Sequence, residues 1–560
     1  MRATYFLTLV FLILSTIVTG QKEGLEAINK SDLKAHMIFF ASDEMKGRDT
    51  GTPENEIAAL YLRTNIMQLG LKPIPETGDY LQSVPLKSAE IKEGETYIKI
   101  KDTNGAEIYS NDSIIYLMAP FNTLDATSNL VFAGYGFTDS TTGYDDYKDI
   151  QPKDKIMLIM TGDPQSQVPN EMNFGINIKS EGPKIMATLH KGAKAILCVY
   201  DPRSKYADAY ASGLADIGFE RVGSKRLSLH LNEDSALIQV AFITRNTADQ
   251  LLKKSGYNLK TVQEKIIAGK KPLSFELSDI TVSFKTYIEK SNIKVNNIIG
   301  VVEGSDPVLK NECVIYTAHF DHVGINKNGD AFNGADDNAS GSMALLEVAQ
   351  AFMNLKKKPL RTIVFAWVNG EEIGLLGSQY YTDNPVFPMD KTLLDINLDM
   401  VGRSMTPADT GKFMGQDVTL SQPGEIILYT DQKSKELLDL VTSTSKQIGI
   451  RVINKGRDHE SGSSDYASFM AKGVPAIFFN SGVYSDLHTI RDDVEKIDFD
   501  KMEHLIVVGL VAKQLEKRGV TGFEKNKILC LGKGECSLPS GIEGFPKEAI
   551  RIAYGEDISN

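Results

Sequence analysis

Between Val314 and Leu398 the chain repeats one pattern three times: a largely apolar run that stops at a polar cluster. The runs are Val314 to Ala318, Thr362 to Val368 and Leu393 to Leu398. Strands that alternate apolar with polar have one wet face, whereas unbroken β-branched runs read as strands covered on both faces of a parallel sheet. Asn297 to Val302 and Pro475 to Phe479 have the same character. Helical spacing over Ser340 to Leu355, Lys433 to Lys446 and Lys501 to Arg518 separates or follows the runs. Strands alternating with helices imply βαβ units. The prediction is an α/β fold with a mixed, mostly parallel central sheet flanked by helices.

Two further helices precede this region. Ser31-Asp32 supplies a capped start to an apolar-periodic stretch reaching Phe40, and periodicity resumes from Glu56 to Leu69 before Gly70 stops it. From about residue 86 to 290 the pattern changes to short β-type runs, such as Leu130 to Ala133 and Ile156 to Met160, between turn-rich loops. His190 and His230 stand alone there, and no constellation of chemical groups is visible. The expected division is residues 21–114 and 286–520 for one domain, 115–285 for a β-rich insert, and 521–560 for a Gly-, Lys- and Pro-rich tail.

Composition narrows the class. A formal charge of −12 over 560 residues argues against nucleic-acid binding, which needs clustered Lys and Arg. Met1-Arg2, the apolar stretch Tyr5 to Val18 and Thr19-Gly20-Gln21 read as a secretory signal peptide cleaved near Gly20-Gln21. The product is expected to be secreted or periplasmic, with no membrane span in the mature chain. Of the four cysteines, Cys198 and Cys313 fall in apolar runs and are expected to be buried thiols, and Cys530 and Cys536 could pair locally.

The polar clusters carry the chemistry. They are His319-Phe320-Asp321-His322, Asp336-Asp337-Asn338, Glu371-Glu372 and Asp399, with Leu487-His488-Thr489 far downstream. Each of the first four follows a predicted strand or opens a helix, and open α/β sheets bind ligands beyond the carboxyl ends of their strands. His319 could ligate a metal while Asp321 accepts its second ring N–H. Asp337, Asn338 or Ser340 could simply cap the next helix. Glu371 and Glu372 would repel one another unless a cation or a proton compensates one of them. If Glu372 holds a metal, Glu371 lies beside the bound water, placed to take its proton. Two histidines and three carboxylates, one of them shared, suit a pair of Zn²⁺ ions.

These motifs resemble those of the co-catalytic di-zinc aminopeptidases, the metallopeptidase family that includes glutamate carboxypeptidase II and the glutaminyl cyclases. The matching pieces are His319-Phe-Asp321, Ala335-Asp-Asp337-Asn-Ala-Ser-Gly341, Glu371-Glu372-Ile-Gly, Asn397-Leu-Asp399-Met and His488-Thr. The resemblance implies two Zn²⁺ per chain, with Asp337 bridging, His319 and Asp399 on one ion, and Glu372 and His488 on the other. It implies Glu371 as general base and Asp321 as the partner of His319. The implied activity is removal of N-terminal residues from a peptide substrate by water activated at the metals. A carboxypeptidase, a glutaminyl cyclase or a receptor-like binding protein on the same fold are the alternatives. Phe39 to Arg48 is similar to the opening segment of secreted bacterial members. Residues 115–285 are similar to a protease-associated domain through Phe132-Ala-Gly-Tyr-Gly136, Tyr144-Asp-Asp-Tyr147 and Lys191-Gly-Ala-Lys-Ala195. The chain departs from the family where some members place an oxyanion-binding tyrosine: that position is Ser461, with Tyr466 and His459 nearby.

Overall fold

The structure is a computed structural model. It describes residues 27–508 apart from 93–94, 109–113, 118–121, 166–177, 205–227, 232–238, 327, 411, 414–415, 431–437, 440, 443–444, 447–449 and 456–462. The proposed signal peptide, the Cys530–Cys536 pair, the tail, and most of the helix expected over Lys433 to Lys446 lie outside the described residues. The chain divides into two compact units, one built from residues 27–85 and 294–508 of the described chain and the other from 86–293. Among the described residues no helix is long and apolar enough to cross a membrane.

The first unit is built on a mixed sheet. Its strands are β1 (Leu81–Ile91), β2 (Ile288–Val302), β3 (Cys313–His319), β4 (Thr362–Val368), β5 (Thr392–Leu398), β6 (Glu425–Thr430), β7 (Arg451–Asn454) and β8 (Ala476–Asn480). Their spatial order is β7-β6-β8-β5-β3-β4-β2-β1. The β4-β3-β5-β8 centre is parallel, and β2 and β6 join it antiparallel. Helices α1 (Lys30–Phe40), α2 (Pro53–Leu69), α3 (Gly341–Met353), α4 (Leu376–Asp383), α5 (Tyr466–Ala471) and α6 (Phe499–Val508) complete the unit. The mostly parallel α/β fold read from the apolar runs is the one observed.

Burial explains the apolar runs. Every residue of β3 and β4 is buried. Tyr316, Phe365 and Trp367 join one core with Leu33, Met37, Leu62 and Phe352, while Ile315, Val364 and Val368 join another with Tyr381 and Phe469. Successive side chains go to opposite faces, and both faces are covered. Each large apolar side chain so buried contributes roughly 1.5–3 kcal/mol. The α1 cap differs from expectation: Asn29, two residues before the predicted cap, accepts the Ser31 N–H, so Ser31 lies inside the helix.

The second unit holds a seven-stranded sheet in the order Tyr97–Asp102, Ser274–Thr286, Leu124–Ala133, Ile156–Met160, Ala195–Val199, Val240–Ile243, Ile114–Leu117. Helices Ile178–His190, Arg245–Leu252 and Leu259–Gly269 accompany it. The Gly134-Tyr135-Gly136 turn is fastened by the buried Asp146 carboxylate, which accepts from the Tyr135 and Phe137 amides and the Tyr144 hydroxyl. A Cβ on Gly134 would sit 2.5 Å from that carboxylate, so this turn motif is structural. Cys198 and Cys313 are buried thiols, as expected.

Candidate active site

Three of the clusters lie where a strand of the first unit runs out. His319 is the last residue of β3, Glu371 and Glu372 follow β4, and Asp399 follows β5. Asp337 lies in the turn Ala335–Ser340 that leads into α3; its peptide bond to Asn338 is cis. The turn is held from several sides. The Asp492 carboxylate accepts the Asp336 and Asp337 amides, both at 3.1 Å, and the Tyr484 hydroxyl at 3.0 Å. Asn338 ties this turn to the Asp399 loop, donating to Leu398 O and accepting from Met400 N. His488 sits on a loop secured by Asp486, which pairs with Arg403, Arg491 and Lys496.

These supports bring all seven predicted residues together. His319 Nε2 lies 3.3 Å from Asp399 Oδ1 and 3.4 Å from Asp337 Oδ1. His488 Nε2 lies 2.9 Å from Asp337 Oδ2 and 3.3 Å from Glu372 Oε2. The two oxygens of Asp337 therefore face two different histidines. Donors about 2.1 Å from a tetrahedral ion are separated by about 3.4 Å, so these spacings fit two zinc-sized ions sharing Asp337. The donors fall into two groups, His319 with Glu371 and Asp399, and Asp337, Glu372 and His488 with His322. His322 was assigned no role from the sequence.

Asp321 supports the same arrangement. His319 Nδ1 lies 3.2 Å from the Asp321 main-chain carbonyl and 3.8 Å from its carboxylate. That carboxylate accepts the Glu371 amide at 3.2 Å, the Glu372 amide at 3.3 Å and the Thr50 hydroxyl at 3.1 Å. One residue thus orients the first imidazole and fixes the backbone of both glutamates.

The electrostatics reflect crowding. Burial alone would lower the His319 imidazole, yet Asp399, Glu371 and Asp337 hold it well above its usual value. His488 behaves alike: Glu372 and Asp337 outweigh burial and raise it to about 10. Burial pushes Glu371 well above the ordinary carboxyl range, aided by Glu372 and Asp399 and opposed by His319. Glu372 is held well below that range because His488 and His322 outweigh its burial. Several buried carboxylates side by side are costly unless positive charge joins them. The donor set suits zinc, which takes imidazole and carboxylate ligands together.

Of the candidate oxyanion groups, His459 and Ser461 lie outside the described residues. Tyr466 is buried in α5 and stacks on Phe478 at 4.9 Å between ring centroids.

Comparison with known proteins agrees with the motif reading. Residues 297–510 match the model of peptidase family M28. A probable leucine aminopeptidase of Arthroderma benhamiae is 34% identical over 216 residues, covering 36% of this chain and 54% of that one. Aminopeptidase YwaD of Bacillus subtilis is 27% identical over 235 residues, covering 40% and 45%. The chain spans about half the length of the curated relatives it matches. The aminopeptidase of Aneurinibacillus sp. strain AM-1 shares the fold, with a TM-score of 0.57 at 20% identity over 88% of this chain and 95% of that one. All seven predicted site residues fall inside the stretch that matches the peptidase family M28 model.

Proposed function

We propose that the chain is a secreted di-zinc exopeptidase that removes N-terminal residues from peptides. The single observation carrying this reading is that the two oxygens of Asp337 face separate donor sets, with Glu371 beside them. His319 and Asp399 would hold one ion, and Glu372 and His488 the other. Zinc in such a pair supplies Lewis acidity, lowering the pKa of water and drawing charge from a carbonyl oxygen. The aminopeptidase direction rests on the relatives, several of which are named as leucine aminopeptidases. Export rests on the N-terminal apolar segment.

The chain's own groups do the rest. Glu371 accepts a proton from the attacking water as its oxygen bonds to the scissile carbonyl carbon. It then gives that proton to the amine as the C–N bond breaks, leaving a free amino acid and a shortened peptide. Its amide is tied to Asp321, which fixes the backbone that carries the carboxylate, and Glu371 and His488 are only half-buried. Positive charge in the site would lower the raised Glu371 pKa toward the range a base requires. Residues 115–285 are proposed as a protease-associated-like insert on the strength of their turn motifs.

The test is turnover on paired dipeptides with free and acetylated amino ends, before and after chelation. Hydrolysis of the free-amine peptides only, abolished by chelator and restored by Zn²⁺, is expected. Preference for blocked peptides would transfer the activity to the carboxypeptidase class. Turnover indifferent to chelation would remove the metal from the mechanism.

A further inference from the structure

His322 stands three residues after His319, beyond the end of β3, where strand alternation no longer dictates which way a side chain faces. Its backbone is pinned, with its amide donating to Arg48 O and a parallel bridge to Asp49. Its ring is fully buried. A seat for that ring exists because residue 334 is glycine: a Cβ there would meet His322 Cδ2 at 2.4 Å and Cγ at 2.6 Å. Gly334 also has φ +55°, which favours glycine.

The ring points into the ligand cluster. His322 Nδ1 lies 2.7 Å from Glu372 Oε1 and 4.0 Å from Asp337 Oδ2, and its ring meets the His488 ring edge-on at 5.5 Å. Yet neither ring nitrogen of His322, nor Glu372 Oε1, has a hydrogen-bond partner among the described residues. A buried imidazole with both nitrogens unsatisfied is costly, of the order of 1–3 kcal/mol for each polar group. Two polar atoms this close without hydrogen-bond geometry are what two donors aimed at one acceptor look like. Ligand atoms of His322, Asp337, Glu372 and His488 all lie within 4.8 Å of one another.

We propose that His322 is a further ligand, donating Nδ1 to the same ion as Glu372 and His488; this rests on the di-metal reading above. The two sites then differ in kind. One offers a single imidazole, from His319, and the other offers two. Later first-row ions such as zinc favour the imidazole-rich set, so the site holding His322 fills first and the His319 site second.

Calorimetric titration of chelator-stripped full-length protein with Zn²⁺ tests this, alongside a His322→Asn variant whose smaller amide fits the same seat. The wild type is expected to bind two equivalents in two resolved steps. In the variant the tighter step weakens by more than about 100-fold, exceeding the 10–100-fold typical of losing a group that only orients a ligand. Weakening below that threshold, with two equivalents still bound, overturns the His322 assignment and leaves the di-metal reading intact. Uptake of fewer than two equivalents by the wild type overturns both. A second measurement needs no variant: the Co²⁺-loaded wild type should show three strongly shifted, exchangeable imidazole N–H resonances, one per ligating histidine. Two would overturn the proposal even if His322→Asn failed to fold.

Discussion

Arg48 offers the most quantitative test of how the site is assembled. Its guanidinium is fully buried and makes four hydrogen bonds, all to main-chain carbonyls: Phe320, Phe40, Asn333 and Gly334, at 2.7 to 3.1 Å. It thereby joins α1 to the residues just after His319 and just before Asp337. Charged hydrogen bonds contribute roughly 1.5–3 kcal/mol each, so four give about 6–12 kcal/mol. Burial opposes this, lowering the guanidinium from 12.5 to about 10 despite Asp321, Asp337, Asp492 and Glu372. At 1.36 kcal/mol per unit that is roughly 3 kcal/mol against the charged form. The balance predicts that Arg48→Met, similar in bulk but without donors, loses about 5 kcal/mol. Arg48→Lys should recover only part, because one ammonium cannot reach four diverging carbonyls. Urea denaturation in chelator, followed by tryptophan fluorescence of the single Trp367, measures both in the unit that contains Arg48. A loss below about 1 kcal/mol for Arg48→Met would refute the clamp and the arithmetic together.

Two further perturbations probe other parts of the fold. Burial in α3 raises Glu347 from 4.5 to about 7, only partly offset by the Asn29 backbone. The folded state then holds the proton more tightly, so stability is greatest below the unfolded pKa and falls as pH rises toward 7. Glu347→Gln should abolish that fall, gaining about 2–3 kcal/mol relative to wild type between about pH 5 and pH 8 in urea titrations. An unchanged difference across that window would contradict it. At Gly47, φ is +66° and a Cβ would lie 2.2 Å from Gly324 O and 2.6 Å from Phe332 O. Gly47→Ala should therefore destabilise by about 2 kcal/mol or more, and a neutral thermal shift would count against the packing described.

How much was legible in the sequence depended on how local its cause was. The strands of the sheet centre could be read from β3, β4 and β5 because burial on both faces leaves few polar positions inside the runs, Thr317, Asp395 and Asn397 being among them. The clusters after them were legible for the complementary reason, since a carboxylate ending an apolar strand needs an explanation. His488 stood out only because a second metal would need another nitrogen donor, since a histidine in a polar loop carries no pattern of its own. His322 was passed over although it adjoins the strongest motif, because its orientation depends on the space left by Gly334. A glycine immediately before the Ala335-Asp-Asp337 motif was the available signal. Arg48 could be seen as part of a recognisable segment, but three of its four carbonyl partners lie more than 270 residues away in sequence. The cap of α1 turned on Asn29 against Ser31, two good capping residues that propensity barely separates.

In the proposed reaction Glu371 moves the proton without holding a metal. Steady-state turnover of Glu371→Gln on a free-amine dipeptide, with metal content measured on the same sample, tests it most directly. kcat is expected to fall about 10²- to 10⁴-fold with two zinc ions still bound. Turnover within a few-fold of wild type at full zinc content would contradict it.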